Sequence, residues 1–174
     1  NRQLPMMKAD NVDLKKAHVI IDALLGTGVQ GEVREPFYSL IQAVNEAAAF
    51  VYAVDVPSGV NANTGEVANV AIHANKTITF VLPKKGFYLQ QGPAFIGEVV
   101  CTDISVPTSL VQTLELDLPT CITHELGKSA VPKRIAHGHK GTFGHVLVIG
   151  GCKSYVGAAM YTAKAVFHSG AGLV

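Results

Sequence analysis

The sequence predicts an α/β fold built on a parallel sheet, and three stretches carry that prediction. Two are short apolar runs, residues 18–25 and residues 51–56, of the kind that suits strands buried on both faces. The third lies between them. Residues 36–49 place Phe37, Leu40, Ile41, Val44, Ala47 and Ala48 on one face of a helix, with Ser39, Gln42, Asn45 and Glu46 opposite. Strand, helix and strand at this spacing make one right-handed βαβ unit.

The chain has 174 residues, enough for one domain or two small ones. Hydrophobic residues make up 48% and charged residues 16%, the balance of a globular core-former and not of a disordered chain. A net charge of +1 offers no field to draw nucleic acid or an anionic membrane. Cys101, Cys121 and Cys152 are odd in number and lack C-x-x-C spacing, so they read as reduced thiols of a cytoplasmic protein. No signal-peptide pattern or membrane-length apolar run occurs. The chain opens on Asn1 and stops at Val174 in mid-pattern, which reads as a piece of a longer protein.

Residues 1–16 are polar and uninformative. The first strand runs into Asp22-Ala23-Leu24-Leu25 and then Gly26-Thr27-Gly28-Val29-Gln30-Gly31. By spacing this is G-x-G-x-x-G after a strand, with Asp55 downstream, which taken literally is the dinucleotide fingerprint. Pro36 argues against a standard Rossmann turn. Inside a helix it costs about 3 kcal/mol, whereas at the first helical position it costs little. The helix is therefore expected to start at Pro36. The glycines then form a longer open loop, either with backbone N–H groups free to cradle a polar ligand or as a plain connector.

The second strand ends on Asp55-Val56-Pro57-Ser58-Gly59. Pro57 cannot donate to a sheet ladder and biases Val56 towards extended backbone. Asp55 is thus held at a strand's carboxyl end, where open parallel sheets bind ligands, or else it caps the following turn. Residues 60–65 are turn chemistry. Residues 77–82 read as a third strand with Pro83-Lys84-Lys85-Gly86 at its end. A lysine there could meet a phosphate, although a solvated pair is the favoured reading. Residues 97–106 complete this set of strands. From residue 107 to 136 the pattern loosens around Pro107, Pro119 and Pro132, as in a passage between two domains. A new unit follows, with a strand over 145–151 and a helix over 156–168 whose Gly157, Ala158, Ala159, Ala163 and Ala165 allow close approach of a sheet or ligand. His137 and His139 have no third metal ligand at usable spacing and read as surface or structural histidines.

Two sets of motifs carry a resemblance. Asp22-Ala23-Leu24-Leu25-Gly26-Thr27-Gly28, Arg34-Glu35-Pro36, Asp55-Val56-Pro57-Ser58-Gly59 and Asn63-Thr64-Gly65 resemble the NAD(P)H-hydrate epimerase domain. His139-Lys140-Gly141-Thr142-Phe143-Gly144, Val148-Ile149-Gly150-Gly151, Gly157-Ala158-Ala159 and Ser169-Gly170-Ala171-Gly172-Leu173-Val174 resemble the opening of the ADP/ATP-dependent NAD(P)H-hydrate dehydratase domain. Both domains occur in this order in the bifunctional NAD(P)H-hydrate repair enzymes.

The resemblance implies a Rossmann-like three-layer sandwich for residues 1–112, the C-terminal part of an epimerase domain. It implies the start of a ribokinase-like dehydratase domain for 113–174. The implied role is repair of hydrated NADH and NADPH. One domain interconverts the two epimers at C6, and the other uses ADP or ATP with Mg2+ to remove the water. Asp22 and Ser58 would help bind a potassium ion. Gly26, Thr27, Gly28, Val29, Gln30, Gly31 and Glu32 would hold the hydrate. Asp55 would contact its ring and move the proton, and Ala159 would belong to the second half's share of its site. Oxygen donors suit a hard monovalent cation, and a carboxylate near the reacting carbon suits proton transfer. The family's asparagine- and glycine-rich loop, its later glycine-rich nucleotide motif and its dehydratase aspartate do not occur in this sequence. A homo-oligomer stays open. The alternatives are an NAD(P)-dependent dehydrogenase, which predicts a helix from near Gly28, and a non-catalytic nucleotide-binding module.

Overall fold

The computed structural model describes residues 6–7, 12–114 and 118–174. Parts of the polar opening (1–5 and 8–11) and of the passage between the halves (115–117) lie outside the described residues. The chain divides into two compact units, residues 1–119 and 120–174.

The first unit is an α/β fold. Its strands β1 (Val19–Asp22), β2 (Phe50–Val54), β3 (Lys76–Phe80) and β4 (Glu98–Thr102) form one parallel sheet in chain order. The crossover from β1 to β2 carries α1 (Phe37–Glu46), with Pro36 as its N-cap. The Glu35 carboxylate accepts from the Ser39 N–H at 3.3 Å and the Ser39 hydroxyl at 2.7 Å, so one orphan N–H of the first turn is satisfied. The β2–β3 connection is a long loop. The β3–β4 connection holds two 3-10 turns, Lys85–Tyr88 and Gly92–Ala94. Helix α2 (Thr108–Thr113) follows β4.

The register puts Ile20, Val51, Ala53, Thr77, Thr79 and Val99 on one face of the sheet. Over β1 and β2 that face is closed by Ile41 and Val44 of α1, with Val33, Ile72 and Ala74. Over β3 and β4 it is closed by Val56, Val60, Ala71, Phe87 and Ile96 from the connecting loops. Each large apolar side chain so buried is worth roughly 1.5–3 kcal/mol. On the opposite face Val19, Ile21 and Phe50 are 55%, 69% and 45% exposed, so the expectation of strands buried on both faces holds for one face among the described residues. An apolar run says that a strand wants covering. It does not say which segment does the covering.

The second unit contains α3 (His124–Ala130), a 3-10 turn over Lys140–Phe143 and α4 (Gly157–His168), the last within a residue of its expected start. The strand expected over 145–151 is not there. His145 makes an isolated parallel bridge to Leu173, while Leu147 and Ile149 are 82% and 88% exposed. A strand needs a ladder partner along its length, and Leu173 supplies one residue of it. His139 is structural: its Nδ1 accepts from the Gly141 N–H at 3.1 Å, and its own N–H donates to the Thr142 hydroxyl at 3.3 Å. No helix among the described residues is long and apolar enough to cross a membrane.

Candidate functional site

The site is built where β2 and β3 end. At β2 the Val56 N–H donates to the Val54 carbonyl at 2.8 Å, wrapping a three-residue turn around Asp55, whose φ is +65°. At β3 the Leu82 N–H donates to the Phe80 carbonyl at 2.7 Å around Val81, whose φ is +64°. Positive φ is uncommon for an aspartate and an outlier for a β-branched valine, and such turns are strained. Each such residue costs on the order of 1–3 kcal/mol and persists because its surroundings hold it. Both line a cleft of about 770 Å³ with Thr27, Asn63, Lys84 and Lys85.

The Asp55 carboxylate is bonded on one oxygen. Its Oδ1 accepts from the Lys84 ammonium at 2.7 Å, the Phe80 N–H at 3.0 Å and the Thr79 hydroxyl at 3.1 Å. Among the described residues Oδ2 takes no hydrogen bond, and the side chain remains 23% exposed. Burial pushes the carboxyl's pKa up. The Lys84 hydrogen bond, the Phe80 N–H, the Lys84 charge and the Thr79 hydroxyl outweigh it and hold the group below its ordinary value. Asp55 is therefore ionised at neutral pH.

Asp22 and Ser58, far apart in sequence, meet directly. Asp22 is the last residue of β1 and Ser58 follows the turn after β2; they are 2% and 1% exposed. Asp22 Oδ1 accepts from the Ser58 hydroxyl at 2.6 Å and the Leu24 N–H at 3.3 Å, and Oδ2 accepts from the Ser58 N–H at 2.8 Å. Ser58 Oγ in turn accepts from the Leu25 N–H at 2.9 Å. These donors are all neutral, and no Lys, Arg or His pairs with Asp22 among the described residues. With two lone pairs per oxygen, Asp22 Oδ2 and Ser58 Oγ each keep one. A buried carboxylate with spare oxygen lone pairs and no cation is a donor set that fits a hard monovalent ion.

The glycine loop divides. Gly26, Gly28, Val29, Gln30 and Glu32 line a separate cavity of about 420 Å³, Thr27 lines the Asp55 cleft, and Gly31 lines neither. A Cβ at Gly26, Gly28 or Gly31 would meet nothing within 4 Å, so packing does not demand glycine there, although the φ of +72° at Gly31 favours it. The loop is held at two points. Asn61 Nδ2 donates to the Val29 carbonyl at 3.3 Å, and the Asn69 amide exchanges hydrogen bonds of 2.9 and 3.0 Å with the Val33 backbone. No helix starts near Gly28, so the turn that a Rossmann dehydrogenase needs is absent from this loop. Ala159 lies on α4 in the second unit, lining a cavity of about 680 Å³ with Leu147, Val148 and Met160. Sequence reasoning missed Lys84, which it favoured as solvated, and the asparagines that fix the loop. Their only signal was a run of turn-forming residues.

Residues 2–86 match the family described as YjeF-related protein N-terminus. Curated relatives of the chain are named bifunctional NAD(P)H-hydrate repair enzyme Nnr. The one from Coxiella burnetii is 42% identical over 98% of this chain and 35% of its own length. Those from Methanothermobacter thermautotrophicus and Moorella thermoacetica are 40% and 37% identical, over 91% and 97% of this chain and 28% and 32% of their own lengths. The chain thus spans about a third of the length of the curated relatives it matches. The match to YjeF-related N-termini covers Asp22, the glycine loop, Asp55, Ser58 and Lys84.

Proposed function

We propose that the complete protein carrying this chain repairs hydrated NADH and NADPH in the cytoplasm, and that the first unit supplies its epimerase site. One observation carries the reading. Asp55 is held ionised at a strand end with three donors on Oδ1 and, among the described residues, no hydrogen bond on Oδ2, in a cleft that Thr27 of the glycine loop also lines. The names of the curated relatives support it.

Epimerisation at C6 asks little of a protein. The C6–O bond breaks as the ring nitrogen's lone pair forms a double bond to C6, and the hydroxyl leaves as water with one proton from solvent. A water then adds to the opposite face of C6 and gives up one proton. In this reading an ionised Asp55 faces the positive ring and takes that proton from the adding water. Thr27 and Asn63 line the same cleft and orient the substrate. Gly26 through Glu32 offer backbone N–H groups to its polar parts. Asp22 and Ser58 would hold a potassium ion, which when bound supplies fixed positive charge for an anionic dinucleotide.

Residues 1–112 then belong to a Rossmann-like three-layer sandwich. Residues 113–174 begin a ribokinase-like domain that removes the water with ADP or ATP and Mg2+, with Ala159 in its site. The protein works without nucleic acid or membrane, as a monomer or a homo-oligomer. The test is Asp55→Asn in the complete protein, following interconversion of the two C6 epimers by chromatography. The rate should fall at least about hundredfold with far-UV circular dichroism unchanged. A near-normal rate would leave Asp55 as a turn-former only.

A further inference from the structure

Lys84 is the functional group that the sequence reading set aside, and its surroundings are not those of a surface lysine. An ammonium has three protons to donate. Lys84 has three acceptors: Asp55 Oδ1 at 2.7 Å, the Phe80 carbonyl at 3.0 Å and the Leu82 carbonyl at 3.2 Å. Its side chain is 21% exposed. The same strained turn holds both partners. The Phe80 carbonyl also accepts the Leu82 N–H that closes the turn around Val81, and the Phe80 N–H donates to Asp55 Oδ1. Lys84, Phe80 and Asp55 therefore form one closed circuit of hydrogen bonds, and among the described residues every bond that reaches the carboxylate lands on Oδ1.

We propose that Lys84 is a positioning residue for Asp55, anchoring its Oδ1 so that Oδ2 is presented to the cleft as the proton acceptor. This rests on the reading of Asp55 as the group that moves the proton. A rotating carboxylate would offer either oxygen in many orientations, and one anchored by three donors offers a single oxygen in one. The charge balance has the same source. Lys84 supplies both the strongest hydrogen bond and the opposite charge that oppose burial of Asp55. Lys85 is the other charged group lining the cleft among the described residues. It is exposed and makes no hydrogen bond or ion pair with Asp55 among the described residues.

The sign of the effect is fixed. With Lys84 removed, burial is less opposed and the Asp55 carboxyl titrates at a higher pH. The experiment compares the complete wild-type protein with Lys84→Met and Lys84→Arg. Carboxyl 13C NMR, with the Asp55 signal assigned from Asp55→Asn, follows its titration directly. The midpoint should rise in Lys84→Met and stay near wild type in Lys84→Arg, whose guanidinium keeps the charge and donors. With hydrated NADH as substrate, the acid limb of kcat/KM should move to higher pH in Lys84→Met. There kcat should fall roughly tenfold to a hundredfold with KM little changed, and Lys84→Arg should recover most of it. A folded Lys84→Met whose titration midpoint and acid limb stay in place, with only its melting temperature lowered, overturns the proposal and leaves Lys84 as a brace for the Val81 turn. If the wild-type protein does not epimerise the hydrate, the proposed function falls. The titration still decides whether Lys84 holds Asp55.

Discussion

At the scale of single residues the least self-sufficient feature of the fold is Asp22, a carboxyl group with 2% exposure and, among the described residues, only neutral donors around it. Burying a carboxylate without a counter-charge is costly. A bound cation relieves that cost, and anything that binds the folded state alone stabilises it by mass action. Potassium should therefore raise the melting temperature of the complete protein more than sodium does. Asp22→Ala should remove that difference and weaken epimerisation along with its potassium dependence. Asp22→Asn, which keeps the side chain's shape and one acceptor oxygen for either the Ser58 N–H or the Leu24 N–H, should do the same with less loss of stability. If either folded variant keeps the wild-type preference for potassium, the ion sits elsewhere. Asp55 contrasts with Asp22: its counter-charge is built in, and its free oxygen is available for chemistry.

At the scale of elements, the strand ends are where stability and function compete. The turn after β2 must carry Asp55 at positive φ and then bring Ser58 back to Asp22 within three residues. Gly59 makes this possible. Its φ is +98°, and a Cβ there would lie 2.2 Å from the Val70 carbonyl oxygen and 2.7 Å from the Ala71 Cα. Both neighbours are backbone and cannot swing away. Gly59→Ala is expected to cost at least about 1–3 kcal/mol from the backbone conformation alone, with the clash added. A lower urea midpoint with an unchanged slope would register it. An unchanged midpoint would mean that residues 70–71 move aside freely. The helix is a simpler case. Ile41 and Val44 close the sheet, and Asn45 stitches α1 to the Ala71 carbonyl and the His73 N–H at 2.8 and 2.9 Å.

At the scale of the whole molecule the two units differ in how far they complete a core. The first closes one sheet face with α1 and its loops. The second presents Leu147, Ile149, Tyr155 and Tyr161 at 76% exposure or more, and its apolar run forms no ladder. A strand and helix alone cannot cover both faces of a parallel sheet. Residues 1–174 by themselves are thus expected not to dehydrate the hydrate. Purified chain of this length, given hydrated NADH with ATP or ADP and Mg2+, should not restore the absorbance of reduced nicotinamide. Nucleotide-dependent recovery would mean that residues 120–174 suffice for the chemistry.

Periodicity and punctuation alone determined much of the first unit. Apolar runs placed four strands, the 3.6-residue repeat placed α1, and Pro36 settled where α1 starts, because a proline inside a helix costs more than any local gain returns. The Asp-Val-Pro-Ser-Gly motif likewise put Asp55 and Ser58 at a strand end from local rules. What no local rule contains is partnership across the chain. That Ser58 bonds Asp22, that Lys84 is spent on Asp55 and that, among the described residues, 145–151 find no ladder and Val19, Ile21 and Phe50 stay exposed were all decided by tertiary structure. Each depends on groups tens of residues apart meeting within hydrogen-bond or van der Waals reach. A lysine after a strand reads as solvated because that is its lowest free energy in isolation. A half-buried carboxylate and two strained turns change the balance, and they exist only once the sheet has formed.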